Sequence, residues 1–374
     1  MKILHVYKDY YPPVKGGIEG HLNLLCNGLK SRGVDVQVLV SNATNKFQRE
    51  SFNGIPIAKA PQWGRFYSAP LTPTFHLYLR KYGQASDIIH FHHPNPTAEF
   101  SYFCTNLKKK IVVTYHSDII RQDKLGKIYS PFRNMFLEAS HRIIATSPNY
   151  IHTSNILNKF QHKCTVIPLG VNVDRFALNG DLSKIMKIKE ENERRPLILF
   201  VGRFRYYKGL HILVPALQKV DARLMLIGTG PEEERLRMLV KQFHLQEKIK
   251  FLGELPDEDV NAYYKACDIV VLPSHLRSEA FGIVQLEAMS CKKPVVSTEL
   301  GTGTSFVNIN QKTGIVVKAN DADALSAGLN VLVKNPDKGI AYGKYGYNRV
   351  NKLFSAQIMV DKTLQLYEEV LNTK

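Results

Sequence analysis

The chain is short of cysteine and of acidic side chains, and it has no long apolar run. Five cysteines (26, 104, 164, 267 and 291) are scattered through 374 residues without a Cys-x-x-Cys pair. An odd, dispersed set argues against a disulfide frame or a zinc ribbon, and for reduced, mostly buried thiols in the cytoplasm. No apolar stretch approaches the roughly 18–20 residues needed to span a bilayer. The opening Met1-Lys-Ile-Leu-His-Val-Tyr-Lys8 breaks its apolar run too early for a secretory leader and suits a first β-strand. Against 50 Lys and Arg there are only 33 Asp and Glu, a formal charge of +17. Residues 1–175 carry 22 basic against 10 acidic side chains, an excess of 12, and the remainder an excess of 5. Such a basic first half predicts an anionic partner. No helix-turn-helix, zinc-finger or RNP-type signature accompanies the charge, so nucleic acid is not expected. An anionic membrane surface is, at about 1 kcal/mol per basic residue close to it. Solubility alone is the competing account.

What is present is a repeated alternation of strand and helix patterns. Continuous apolar runs predict strands over residues 2–7, 34–40, 87–91, 110–115, 142–146 and 165–168, then 197–201, 223–227, 249–251, 268–272, 294–297 and 314–317. Helical periodicity falls between most of them, at 17–31, 72–82, 127–139 and 148–159 in the first half. Repeated βα units with strands apolar on both faces predict an α/β protein with covered parallel sheets. The length suits two domains, and the polar run 179–195 reads as the connection between them.

Two stretches of the second half concentrate chemistry. Pro196-Leu-Ile-Leu-Phe-Val-Gly202 reads as a strand and is followed by Arg203-Phe-Arg-Tyr-Tyr-Lys208-Gly209, which places two cations at a strand's carboxyl end. Each can add a charge-assisted hydrogen bond of roughly 1.5–3 kcal/mol to a phosphate. Asp268-Ile-Val-Val-Leu-Pro273 reads as another strand, and Ser278-Glu-Ala-Phe-Gly-Ile-Val-Gln-Leu-Glu287 then opens a helix reaching about Ser290. Backbone N–H groups of Phe281, Gly282 and Ile283 at that opening would face an anion, which glycine lets approach. Carboxylates repel phosphate, so Glu279 and Glu287 suit hydroxyl groups on either side of a diphosphate. A nucleotide-sugar has that layout.

The ordered pair Gly-Arg-(four residues)-Lys-Gly and Glu-(seven residues)-Glu resembles family 4 of the retaining glycosyltransferases. The likeness extends to Tyr11-Pro-Pro-Val-Lys-Gly16-Gly17-Ile-Glu19, to Val113-Thr-Tyr-His116-Ser-Asp118 and to Val166-Ile-Pro-Leu-Gly-Val-Asn-Val-Asp174-Arg-Phe176. It is strongest toward bacterial α-mannosyltransferases acting on diphosphoprenyl-linked oligosaccharides. The resemblance implies the GT-B architecture: two Rossmann-like domains, 1–175 and 176–354, facing across a cleft, with a last helix over 355–374 crossing back to the first. It implies a retaining, metal-independent hexosyl transfer, with GDP-mannose the favoured donor and a polyprenyl-diphosphate-linked glycan the acceptor, at the inner face of the plasma membrane. A UDP-sugar donor with another acceptor is the alternative. No cofactor is implied. By the same likeness Glu279 holds the donor sugar, Glu287 the ribose, and Arg203 and Lys208 the diphosphate. His116 faces the transferred sugar, Gly16 and Gly17 form a glycine loop beside the donor, and Leu255 lies near the base.

Other motifs read more plainly. His90, His92 and His93 are split between strand faces, with no carboxylate at ligand spacing, so no metal is expected there. Asp321-Ala-Asp323 precedes a helix and reads as a cap. Gly228-Thr-Gly230-Pro lacks a third glycine and reads as a turn. Two aromatic and basic stretches, Pro61–Tyr67 and Arg121–Arg133, suit either a lipid headgroup boundary or ordinary packing. A glycosidase would use Glu279 and Glu287 but leave Arg203 and Lys208 without a task. A non-catalytic binding protein would have no need of the intact set.

Overall fold

A computed structural model describes residues 1–12, 14, 16–66, 69–118, 123–177, 181–193 and 195–373. Pro13, Lys15, Tyr67, Arg121 and Asn179 lie outside the described residues, as do the side chains of Lys124, Lys127 and Ile128. The chain divides into two compact units, Met1–Gly170 with Ala356–Lys374, and Val171–Ser355. The division falls a few residues before position 175 because Val171 N–H donates to Phe354 C=O at 2.9 Å and forms a β-bridge with Ser355. Those contacts tie the two crossing segments together within the second unit.

Unit 1 holds strands β1 (Lys2–Val6), β2 (Asp35–Ser41), β3 (Gln48–Phe52), β4 (Ile55–Ala60), β5 (Gly64–Phe66), β6 (Ala69–Leu71), β7 (Ile88–His93), β8 (Lys110–Tyr115), β9 (Arg142–Ala145) and β10 (Cys164–Val166). Its main sheet runs β10-β9-β8-β7-β1-β2-β4-β3, parallel except for β3 against β4, and β5-β6 is a separate antiparallel pair. The helix Gly17–Ser31 lays Leu22, Leu25, Cys26 and Leu29 on this sheet, as its apolar spacing requires. The last helix, Ala356–Asn372, repeats that spacing with Met359, Val360, Leu366, Tyr367 and Val370, which join the same core.

Unit 2 holds β11 (Leu197–Val201), β12 (Arg223–Ile227), β13 (Ile249–Gly253), β14 (Ile269–Leu272), β15 (Val295–Glu299) and β16 (Gly314–Lys318), all parallel, in the order β13-β12-β11-β14-β15-β16. From β11 the chain builds outward one way and from β14 the other. The carboxyl ends of β11 and β14 therefore flank a topological switch point, where open α/β sheets leave a crevice.

Several expectations need correction. The run 179–195 contains a helix, Leu182–Glu191, opened by Asp181, whose side chain accepts from Ser183 N–H and Lys184 N–H. The helix expected over 148–159 stops at Thr153, and a 3-10 segment follows over Leu157–Lys163. Strands β3 to β6 were not expected: β3, β5 and β6 are short or largely exposed and lack an apolar run, and the apolar, mostly buried β4 is interrupted by Pro56 and Lys59.

Candidate active site

The unit 2 site is built by two loops at the switch point. After β11 the chain passes Arg203 and turns through Tyr206–Lys208 into Gly209, which takes the left-handed conformation at φ 72°. A Cβ there would lie 2.0 Å from the carbonyl oxygen of Pro273, just beyond β14. Only glycine allows both the turn and the contact, and the contact seats the β11 loop against the β14 loop. Lys208 Nζ then lies 2.5 Å from Glu279 Oε2, with the two side chains 11% and 9% exposed. Ser274 Oγ donates to the same oxygen at 2.9 Å. Burial alone would lower the Lys208 pKa, but the Glu279 carboxylate outweighs it and holds the ammonium above its ordinary value.

The segment after Glu279 is fixed from below. Thr302 Oγ1 donates to the Glu279 carbonyl at 2.8 Å, and Gly303 N–H to the Ala280 carbonyl at 2.8 Å. Gln285, fully buried, donates to the Phe281 and Thr304 carbonyls at 3.1 and 3.2 Å. Gly282 adopts φ 77°, and a Cβ there would meet Leu272 Cδ2 at 2.6 Å. The regular helix spans Val284–Ser290, so the Phe281–Ile283 turn precedes the helix instead of forming its first turn. Among the described residues nothing accepts from the N–H groups of Phe281, Gly282 and Ile283. Three open donors beside a buried ammonium make a positively polarised cradle.

Glu287 lies in the first turn of that helix and accepts from Tyr264 OH at 2.6 Å. Burial raises its pKa, and the Tyr264 hydrogen bond and nearby Arg175 offset only part of the rise. Arg203 is exposed and, among the described residues, has no carboxylate within ion-pair distance. Leu255 sits partly buried past the end of the edge strand β13, in a loop tied to the β12 loop by Thr229 Oγ1 donating to Glu254 at 2.9 Å. Asp321 caps the helix Ala322–Val333 through Ala324 N–H at 2.9 Å.

Unit 1 carries the remaining site residues. Gly16 is the N-cap of the helix Gly17–Ser31, and a Cβ on it would collide with the Glu19 carboxylate at 2.1 Å. Gly17 is exposed as the first helical residue. His116 follows β8, with its backbone N–H on the His93 carbonyl at 3.0 Å. Its Nε2 lies 3.0 Å from His92 Nδ1, and His92 Nε2 lies 3.1 Å from His5 Nδ1. His90 shares that face and bonds Thr114 and Tyr367. His93 alone points to the other face, where Glu99 meets it at 2.9 Å, so a carboxylate does approach the β7 histidines after all. Burial lowers the pKa of His5 to about 3 and of His21 to about 4, and holds His90, His92 and His116 well below 6.5.

Lys208, Glu279 and the 281–283 backbone are thus brought together, while Gly16, Gly17 and His116 belong to the other unit. Sequence reasoning missed Ser274, Tyr264 and Gln285, which hold Glu279, Glu287 and Phe281. Their only signal was closeness in the chain to the motif, and Tyr264 lacked even that. It also missed the joining of His5 and His21 to the β7 and β8 histidines.

Two family models match the chain: Glycosyltransferase Family 4 over residues 15–175 and Glycosyl transferases group 1 over residues 181–349. The O-antigen chain mannosyltransferase C of Escherichia coli is 36% identical over 374 residues, covering 100% of both chains. The D-rhamnosyltransferase WbpZ of Pseudomonas aeruginosa is 36% identical over 356 residues, covering 95% of this chain and 93% of its own. Among solved structures, sucrose-phosphate synthase from Thermosynechococcus elongatus superposes with a TM-score of 0.84 at 24% identity, over 99% of this chain and 98% of its own. Anabaena HepE in complex with UDP gives 0.80 at 19%, over 99% and 100%. With both halves matched by these models and a relative covered end to end, the chain belongs to the family 4 glycosyltransferases of the GT-B fold.

Proposed function

We propose that this glycosyltransferase moves mannose from GDP-mannose, with retention and without a metal, to a polyprenyl-diphosphate-linked glycan during O-antigen synthesis. The observation that carries the reading is the Lys208–Glu279 pair set beside the open N–H groups of Phe281–Ile283. As the sugar–phosphate bond breaks, charge grows on the departing diphosphate. The cradle, Lys208 and Arg203 stabilise that charge more than they stabilise the ground state. Glu279 serves both as counter-ion to Lys208 and as acceptor for hydroxyls of the donor sugar. The donor phosphate takes the proton of the incoming hydroxyl on the same face, so no protein nucleophile is needed. The names of the E. coli and Pseudomonas relatives support mannose or its 6-deoxy analogue D-rhamnose.

For the acceptor side, unit 1 exposes Trp63, Phe66, Leu77, Phe100, Phe132 and Met135 within its basic half. Aromatic and apolar side chains among basic ones suit a headgroup boundary on an anionic leaflet. Among the described residues no helix is long and apolar enough to cross a membrane.

A thermal-shift screen of nucleotide-sugars with EDTA present tests the donor. GDP-mannose at about 100 times its Kd should add roughly 2.7 kcal/mol of stability. A larger shift with UDP-sugars would replace the donor assignment by the UDP alternative, and a shift that appears only when EDTA is left out would end metal independence. Tyr264→Phe tests the ribose contact. It removes the donor to Glu287 and should raise the KM for the nucleotide-sugar about 10- to 150-fold, from a hydrogen bond to a charged group of roughly 1.5–3 kcal/mol, with kcat nearly unchanged. A kcat loss at constant KM would contradict the role of Glu287.

A further inference from the structure

We propose that unit 1 contains a divalent-metal site formed by His21, His92 and His116, suited to a borderline-soft ion such as Zn2+. One ring nitrogen from each of the three lies within 4.8 Å of the others. Ligands at 2.0–2.1 Å from a tetrahedral ion stand about 3.3 Å apart, and His92 Nδ1 and His116 Nε2 are already at 3.0 Å. His21 supplies the independent observation. Both its nitrogens are enclosed, and among the described residues neither has a hydrogen-bond partner. A buried imidazole with two idle nitrogens calls for an ion or a water.

The surroundings favour this trio over the neighbouring one of His5, His90 and His92. His90 already has both nitrogens engaged, by Tyr367 and Thr114. His21 and His116 keep 5% and 4% exposure, whereas His5, His90 and His92 have none, so among the described residues of the cluster the His21–His116 side is the one open to an ion. With Nδ1 ligating, His92 carries its proton on Nε2 and donates it to His5 Nδ1 at 3.1 Å, an outer contact that holds the ring in place. Lys8 bears on His116 and weakens cation binding there. Three neutral imidazoles leave the fourth position to water.

An ion here would lock the ring of His116, so occupancy would switch transfer off. That consequence rests on the proposed function, with His116 facing the transferred sugar as the family resemblance implies, whereas the binding itself does not. The full chain, stripped with chelator, is titrated with Co2+ as a spectroscopic probe and then with Zn2+. One ion per chain is expected, with the visible bands of a four-coordinate nitrogen site and no thiolate band, displaced by Zn2+. His21→Asn should weaken binding by about tenfold or more, and Cys104→Ser should leave it unchanged. Absent bands, a thiolate signature, or undiminished affinity in His21→Asn overturns the site. Should His21→Asn not fold, anomalous scattering from a Zn2+-soaked crystal decides, and an ion away from the three rings overturns it equally. Zn2+ should also lower transfer at least tenfold, reversed by EDTA. Binding without inhibition overturns the switch and the role of His116 while leaving the metal site standing.

Discussion

Glu279→Ala will all but abolish sugar transfer and will also lower the melting temperature, for two separable reasons. The first is chemical: losing the proposed contact to the donor sugar, and with it the fixed geometry of Lys208, should cost about 10²–10³ in kcat. The second is electrostatic. Lys208 would be left nearly enclosed, its side chain 11% exposed, without its counter-charge. Breaking a buried pair by removing one partner costs about 3–5 kcal/mol, on the order of 10 °C for a domain of this size. Pairing the change with Lys208→Met removes the stranded charge. The double variant should recover most of the melting temperature and none of the activity. Calorimetry on the two single variants and the double, beside initial rates, separates the effects. Transfer within tenfold of the parent in Glu279→Ala would refute the assignment of this residue.

Mild acid should unfold unit 1. Five rings (His5, His21, His90, His92 and His116) are held neutral by burial, His5 down to about 3 and His21 to about 4. An unfolded chain protonates them near 6.5. Between those values the unfolded state binds more protons, so stability is complete above about pH 6.5 and is lost as pH falls. Each ring contributes up to about 1.4 kcal/mol per pH unit, and five remove roughly 5 kcal/mol between pH 6.5 and 5.5. A domain holds about 5–15 kcal/mol in total. Circular dichroism with EDTA present should show melting falling steeply below pH 6.5, with unit 1 unfolding first. A melting temperature constant from pH 7.5 to 5 would contradict the neutral cluster.

Much of the fold was legible because apolar runs and helical periodicity carry it. The helix Gly17–Ser31 and the strands Lys110–Tyr115, Leu197–Val201 and Arg223–Ile227 stand where periodicity puts them. The strand Gln48–Phe52 escaped because it is a polar edge that borrows its order from Ile55–Ala60. The helix Leu182–Glu191 escaped because it buries only Ile188 and reads as a solvated polar run.

By itself the sequence determined the repeating βα units, the cations after one strand and the carboxylates after another, since residue type and local spacing suffice for these. Tertiary structure alone decided that Lys208 would neutralise Glu279, 71 positions away, because the pairing needs β11 and β14 to be neighbours and Gly209 to press against Pro273. It alone gathered histidines from positions 5, 21, 90, 92 and 116, because β1 lies beside β7 and β7 beside β8 in the sheet, and the helix carrying His21 packs on that sheet. Strand order arises from how whole faces pack, and no local pattern in the chain encodes it.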